Sequence, residues 1–405
     1  MNAADGRMMK MPPINWQTDL TQMAVDLPNC HKNLFFQQTK KDFFRHIAIL
    51  KKKTARLDIH TIVMEIAKIV ARIGDAHTAV VLPRYNRLPI EVYCFQEGLF
   101  VVAVIPSYQQ LLHKKLLAIN GETIDSICKR LEQVIPHENQ SFVLAQLPEY
   151  LICTDILFGL GIIDDLHHVT IQVEIDQQQT INCRVDTIKY EKWQAVLTEH
   201  KQEIIALPLY RQRQDQYYWS HLAIEKGFLY VNYNKCKNMP EYTVADFFRQ
   251  LINDMEASPS IQYLAIDLRN NGGGNSELLK DFLQWLEKFE RFNQQGHLFV
   301  IVGRDTFSSA LLNVYYLKYH SAAIFIGEAT GGKPNCYGEV KYLSLASSGL
   351  AIRYSTQYYE LIEDNAQLSF EPDVVKEVTF QDYKNHLDPC LEWIYQQIPV
   401  GMFKI

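Results

Sequence analysis

The chain has no Cys-x-x-Cys pair, no GxxxxGKS/T loop, no long apolar run and no excess of positive charge. Each absence excludes a class of protein. Zinc modules need closely spaced cysteine pairs, and here Cys30, Cys94, Cys128, Cys153, Cys183, Cys236, Cys336 and Cys390 are scattered. That scatter fits reduced thiols in a cytosol. Without a phosphate-cradling loop, a nucleotide enzyme is not expected. A membrane span needs about 18 apolar residues in sequence, and the opening MNAADGRMMKMPPINW lacks the apolar stretch of a signal peptide. The net charge of -6 gives no footprint for nucleic acid, and Lys51-Lys52-Lys53 reads as a solvated helix segment. A soluble, cytoplasmic protein without a metal, an organic cofactor or a nucleic-acid partner is the expectation.

What is present is ordinary globular material: 405 residues, 47% hydrophobic and 21% charged, enough for two or three domains. Residues 1–85 read as a helical N-terminal region. Ile59, Ile62, Val63, Ile66, Ile69, Val70 and Ile73 recur at helical spacing, and Gly74 stops that helix. Residues 86–205 read as a small mixed β domain, with short strands in LPIEVYCF, GLFVVAVI, KLLAIN and VTIQVEI, and a helix in TIDSICKRLEQV. Residues 201–220 are polar and aperiodic and read as a linker. From 206 to 405 strands and helices alternate, which implies a parallel sheet with right-handed crossovers.

Three apolar runs in this last region each end in a distinctive turn. YLAIDL leads into RNNGGGN, LFVIV into GRDTFSSA, and AAIFI into GEATGGKPN. In an open parallel sheet the carboxyl ends of the strands share one edge, where ligands bind. Ser308, Lys333 and the Gly272-Gly273-Gly274 loop therefore converge on one crevice. A serine hydroxyl needs a neighbouring base to act as nucleophile. Lys333, if desolvated, or His77 of GDAHT are the candidates. The glycine loop and the start of the following helix can aim N–H groups at an oxyanion. Glu371 or Asp373, in FEPDV, are candidates for the acid that orients a histidine.

Taken together, IARIGDAHTAV, LAIDLRNNGGGN, VGRDTFSSA and GEATGGKPNCYGE resemble the tail-specific, or carboxy-terminal-processing, serine peptidase family, in the family's order and over about residue 65 to the C-terminus. KLLAINGETIDSICKRL resembles its PDZ-like module. The resemblance implies an α/β, crotonase/Clp-peptidase-like protease core, beside the helical N-terminal region and the PDZ-like mixed β domain. It implies Ser308 as nucleophile, with the Ser309 N–H and the glycine loop, Gly273 above all, as oxyanion donors. Lys333 matches the lysine of the family's serine–lysine dyad. His77 matches the histidine of its tricorn-like branch, which adds a distant glutamate. The match of GEATGGK puts Lys333 ahead of His77. The run after the nucleophile departs from the family's Ser-Ala-Ser-Glu, and no GLGF loop precedes the second strand of the middle domain.

The expected function is a serine endopeptidase acting on peptide or protein substrates through an acyl-enzyme, with oligomerisation left open. The alternatives are an inactive peptide-binding relative and hydrolysis of a small acyl substrate.

Overall fold

The computed structural model describes residues 13–176, 179–200 and 207–399. Three helices open it: Trp16–Cys30, Lys40–Lys53 and Ile59–Ala71. Asn15, Thr39 and Asp58 cap them, each side chain accepting a backbone N–H of the first turn, which supplies a partner the helix itself cannot. The third helix buries Ile62, Val63, Ile66, Ile69 and Val70, the face its spacing foretells, while Ile59 in its first turn is exposed. Gly74 follows in the left-handed region at φ 77°.

The middle region contains the hairpin Ile90–Phe95/Gly98–Val104 and a four-stranded sheet. That sheet is built from Leu116–Ile119, Glu122–Thr123, His168–Asp176 and Gln179–Asp186. The helix Ile124–Glu132 lies where the sequence puts it. Two further helices, Gln140–Ile152 and Thr154–Gly159, are not separable in the sequence. Their apolar residues are not confined to one stripe, and Pro148 stands inside the first of them, so the periodic signal is lost.

The remaining region is a six-stranded sheet. In spatial order its strands are Tyr218–Ala223, Phe228–Tyr233, Tyr263–Asp267, Leu298–Val302, Ile324–Gly327 and Val374–Val375. The first pair is antiparallel and all the others are parallel. The end of the expected linker is therefore the start of the edge strand, Tyr218 onwards. Leu264, Ile266, Val300 and Val302 face one apolar cluster with the helices Val244–Ala257, Lys280–Lys288 and Ser309–His320. Ala265, Phe299 and Ile301 face another, with the last helix Pro389–Gln397. Helices on both faces explain why these strands read as continuous apolar runs. Arg269, at the end of the 263–267 strand, places Nη1 and Nη2 on the Asp388 carboxylate at 3.0 and 2.9 Å and Nε on Asp267 at 2.8 Å. This buried clamp fixes the strand end to the last helix.

Two connections bring distant segments to the same sheet edge. Ala79–Val80, just after His77, pairs with Ala351–Tyr359, which pairs in turn with Cys336–Ser344, just after Lys333. One apolar cluster also joins the N-terminal helices, the middle region and residues Leu345 and Ile352 of this hairpin. Among the described residues, no helix is long and apolar enough to cross a membrane.

Candidate active site

Ser308 is the residue before the helix Ser309–His320 and has φ 55° and ψ -127°. A non-glycine residue in that region is strained by about 1–3 kcal/mol, and such strain is held in place only where the surroundings dictate it. They do so here. The Gly303–Thr306 turn is closed by Thr306 N–H to Gly303 O at 2.9 Å, and Thr306 Oγ1 donates to Leu268 O at 2.9 Å. Phe307 N–H donates to Asn271 O at 3.0 Å. Buried Asn271 also donates Nδ2 to Tyr233 O at 2.7 Å and so ties three strand ends together. Ser308 makes no capping bond to its helix, and its hydroxyl is therefore not spent on the helix start.

The glycine loop lies against this turn. Gly273 has φ 100°, and a Cβ there would stand 2.8 Å from Ser308 Cβ and 3.0 Å from the Ser309 nitrogen. Only glycine allows so close an approach. The Gly273 N–H donates to Asn271 Oδ1 at 2.9 Å, so a part for it as oxyanion donor requires that bond to open. Ser309 Oγ donates to Gly274 O at 2.7 Å, which fixes the loop to the helix. Gly272 is exposed, with open space where a Cβ would be.

His77 reaches the site through an aromatic contact. Its ring stacks on Phe307, the neighbour of Ser308, with centroids 4.4 Å apart. The ring is buried, and neither nitrogen makes a hydrogen bond of good geometry, although the Tyr337 backbone lies close enough to favour its charged form. Burial drives its pKa down to about 4, with Asp75 pulling the other way and Arg353 adding to the fall. The imidazole is thus neutral at pH 7, carrying one lone pair and one N–H.

The carboxylate beside this imidazole is Asp75, which sequence reasoning left unassigned. Its Oδ1 accepts the His77 backbone N–H at 2.9 Å and stands 3.9 Å from Nδ1. Its Oδ2 accepts from His31 Nε2 at 3.0 Å, Thr78 Oγ1 at 2.5 Å and Ser355 Oγ at 2.7 Å. Burial alone would raise the Asp75 pKa, but His31, His77, Ser355 and Thr78 outweigh it and hold the group below the ordinary carboxylate range. The spacing Asp-Ala-His was the one signal available for it. Glu371 is exposed, and among the described residues no hydrogen bond joins it to His77. Asp373 accepts from Phe325 N–H at 2.9 Å, a structural bond at the strand 324–327.

Lys333 is half-buried on the next strand-end loop. That loop lies directly under the serine turn: Gly332 N–H donates to Thr306 O at 3.1 Å, and a Cβ on Gly332 would stand 3.4 Å from Phe307 Cα. Glu138, from the middle region, interacts with both Lys333 and Asp75. Burial and the negative Asp75 push its pKa up to about 8, against Lys333 and the Ala76 N–H. Ser308, Ser309, the glycine loop, His77 and the Lys333 loop therefore meet around Phe307. A cavity of about 1140 Å³ is lined in part by Gly303, Arg304 and Asp305, and Ser308, His77 and Lys333 are not among its lining residues.

The His77 environment has a consequence for stability. The unfolded chain takes a proton with a pKa of 6.5, the folded chain only at about 4. The folded state is thus fully favoured by this group above 6.5, and it loses about 3 kcal/mol as pH falls from there to about 4. Glu138 acts with the opposite sign. Protonated in the folded state up to about 8 and with an ordinary value of 4.5, it withdraws stability as pH rises between them. Urea unfolding of the wild type and His77→Gln across this range separates the two. The advantage of the wild type should shrink by about 3 kcal/mol on acidification, and a constant difference would contradict a neutral buried ring.

No family model matches the chain, and no curated protein does. Among solved structures it is similar to mature CPAF complexed with lactacystin, with a TM-score of 0.65 and 11% identity over 94% of this chain and 97% of that one. It is equally similar to mature CPAF alone, with a TM-score of 0.65 and 12% identity over 96% and 99% of the two chains. At this identity the likeness is one of fold, and it spans the helical N-terminal region, the middle region and the α/β core.

Proposed function

We propose that the chain is a serine peptidase in which Ser308 attacks the peptide carbonyl and His77 takes its proton. The observation that carries this reading is the pairing of a strained serine at a helix start with a neutral, buried imidazole stacked on the residue before it. The Ser308 hydroxyl gives its proton to the ring as Oγ bonds the carbonyl carbon. The Ser309 N–H, at the positive end of the 309–320 helix, supports the oxyanion together with the glycine loop. Collapse breaks the C–N bond, and the imidazolium returns the proton to the leaving amine. Water then repeats the sequence on the acyl-enzyme. Asp75 stabilises the imidazolium at 3.9 Å. The fold shared with CPAF and the sequence resemblance to tail-specific peptidases support the same chemistry. Lys333 is the second candidate base, favoured by its half-buried place beside Phe307 and Glu138.

Hydrolysis of fluorescein-labelled casein by the wild type, His77→Ala and Lys333→Ala tests the assignment. Loss of the base should lower turnover by about 10²–10⁴-fold. With His77 as base, His77→Ala falls by that amount and Lys333→Ala falls less. The reverse order makes Lys333 the base. Folded wild-type protein that retains peptide uncleaved would establish the binding relative instead.

A further inference from the structure

One contact between the middle region and the serine site runs through Asn139 and the first turn of the helix Gln140–Ile152. Asn139 caps that helix, its Oδ1 accepting the Phe142 N–H at 2.8 Å. Its Nδ2 points the other way and donates to Leu368 O at 2.8 Å, Gly331 O at 3.1 Å and Thr330 O at 3.3 Å. A carboxamide nitrogen has two protons, so three carbonyls share them, around a side chain that is buried. Gly331 is wedged at this point: a Cβ there would lie 2.2 Å from Arg304 O and 3.3 Å from the Phe142 ring.

Two short routes run from Asn139 to the serine. One passes through the Thr330–Lys333 loop, whose Gly332 N–H holds the Thr306 carbonyl at 3.1 Å, two residues before Ser308. The other passes through the Phe142 ring, 4.8 Å from Phe307, whose ring stacks on His77. The partners of Asn139 lie 191, 192 and 229 residues away in sequence, so the contact joins the middle region to the core rather than folding a local turn.

We propose that Asn139 is a positioning residue of the serine site, its Nδ2 clamping the Thr330–Lys333 loop beneath the Ser308 turn. This rests on the peptidase reading above. Asn139→Asp separates the clamp from the cap. The acceptor for Phe142 N–H stays, so the helix begins as before, while the donor is replaced by a carboxylate oxygen facing three carbonyls.

The probe is a fluorophosphonate, with acylation of Ser308 resolved into its saturation constant and its maximal rate. A misplacement of about 1 Å at a reacting centre costs on the order of 10²-fold, and the maximal rate in Asn139→Asp should fall by about 10–100-fold, with the saturation constant unchanged. In hydrogen exchange the Gly332 N–H should lose protection, while the Phe142 N–H keeps it. A maximal rate equal to that of the wild type overturns the proposal. So does equal loss of protection at Phe142 and Gly332, which would make the residue merely structural. A wild type that takes no label on Ser308 removes the peptidase reading itself, and this role with it, so the two failures are distinct.

Discussion

Ser308→Ala should abolish peptide hydrolysis, with a loss on the order of 10⁶-fold in turnover, as for removal of other activated serine nucleophiles. No neighbour supplies a substitute. Ser309 is buried and its hydroxyl donates to Gly274 O at 2.7 Å, so it is committed to the glycine loop. The fold should survive the change, because Ser308 makes no capping bond to its helix. Ser308→Gly adds a second reading. It should be equally inactive yet more stable than Ser308→Ala by about 1–3 kcal/mol, since glycine tolerates φ 55° and ψ -127°. Casein turnover and urea unfolding of the two variants check both parts. An active Ser308→Ala would refute the nucleophile assignment.

Asp75→Asn has the largest expected effect on stability. The carboxylate is buried and gathers the His77 N–H, His31, Thr78 and Ser355, which join the segment before His77 to the N-terminal helices and to the strand Ala351–Tyr359. An amide turns one acceptor into a donor facing donors and leaves His31 without its partner. Removing one member of such a buried cluster costs about 3–5 kcal/mol. The cost should decline at low pH. The folded pKa of Asp75 is depressed, so the stability it contributes is present above the ordinary carboxylate range and is lost as pH falls through the folded value. Denaturant midpoints of the wild type and Asp75→Asn at neutral and acid pH measure this. Equal stability at pH 7 would show that the network is dispensable.

The parts of the fold legible in the sequence are those with one dominant physical signal. YLAIDL and LFVIV are buried on both faces and bounded by turns, so they read as parallel strands and place the glycine loop and Ser308 at one edge. The edge strand Tyr218–Ala223 escaped because it does not alternate: buried Tyr218 and Trp219 are followed by exposed His221 and Leu222, at the end of a polar stretch. The helix Gln140–Ile152 escaped because its apolar residues surround it.

At the site, Ser308 and Lys333 follow from strand-end logic, and His77 from its motif. Asp75 was in plain view two residues before His77, but its part depends on His31 and Ser355, which are 44 and 280 residues away. Glu138 and Asn139 come from another region, and one sequence carries no signal for such contacts. We propose the other order of the two bases. The GEATGGK match puts Lys333 first, whereas a neutral, buried ring stacked beside the serine turn favours His77.

The central claim is that Ser308 is an activated nucleophile. Incubation of the wild type with a fluorophosphonate, followed by intact-mass analysis and peptide mapping, tests it most directly. A single adduct on Ser308, absent from His77→Ala, is the result expected here. A folded protein that takes no adduct, or takes it elsewhere, would contradict the account.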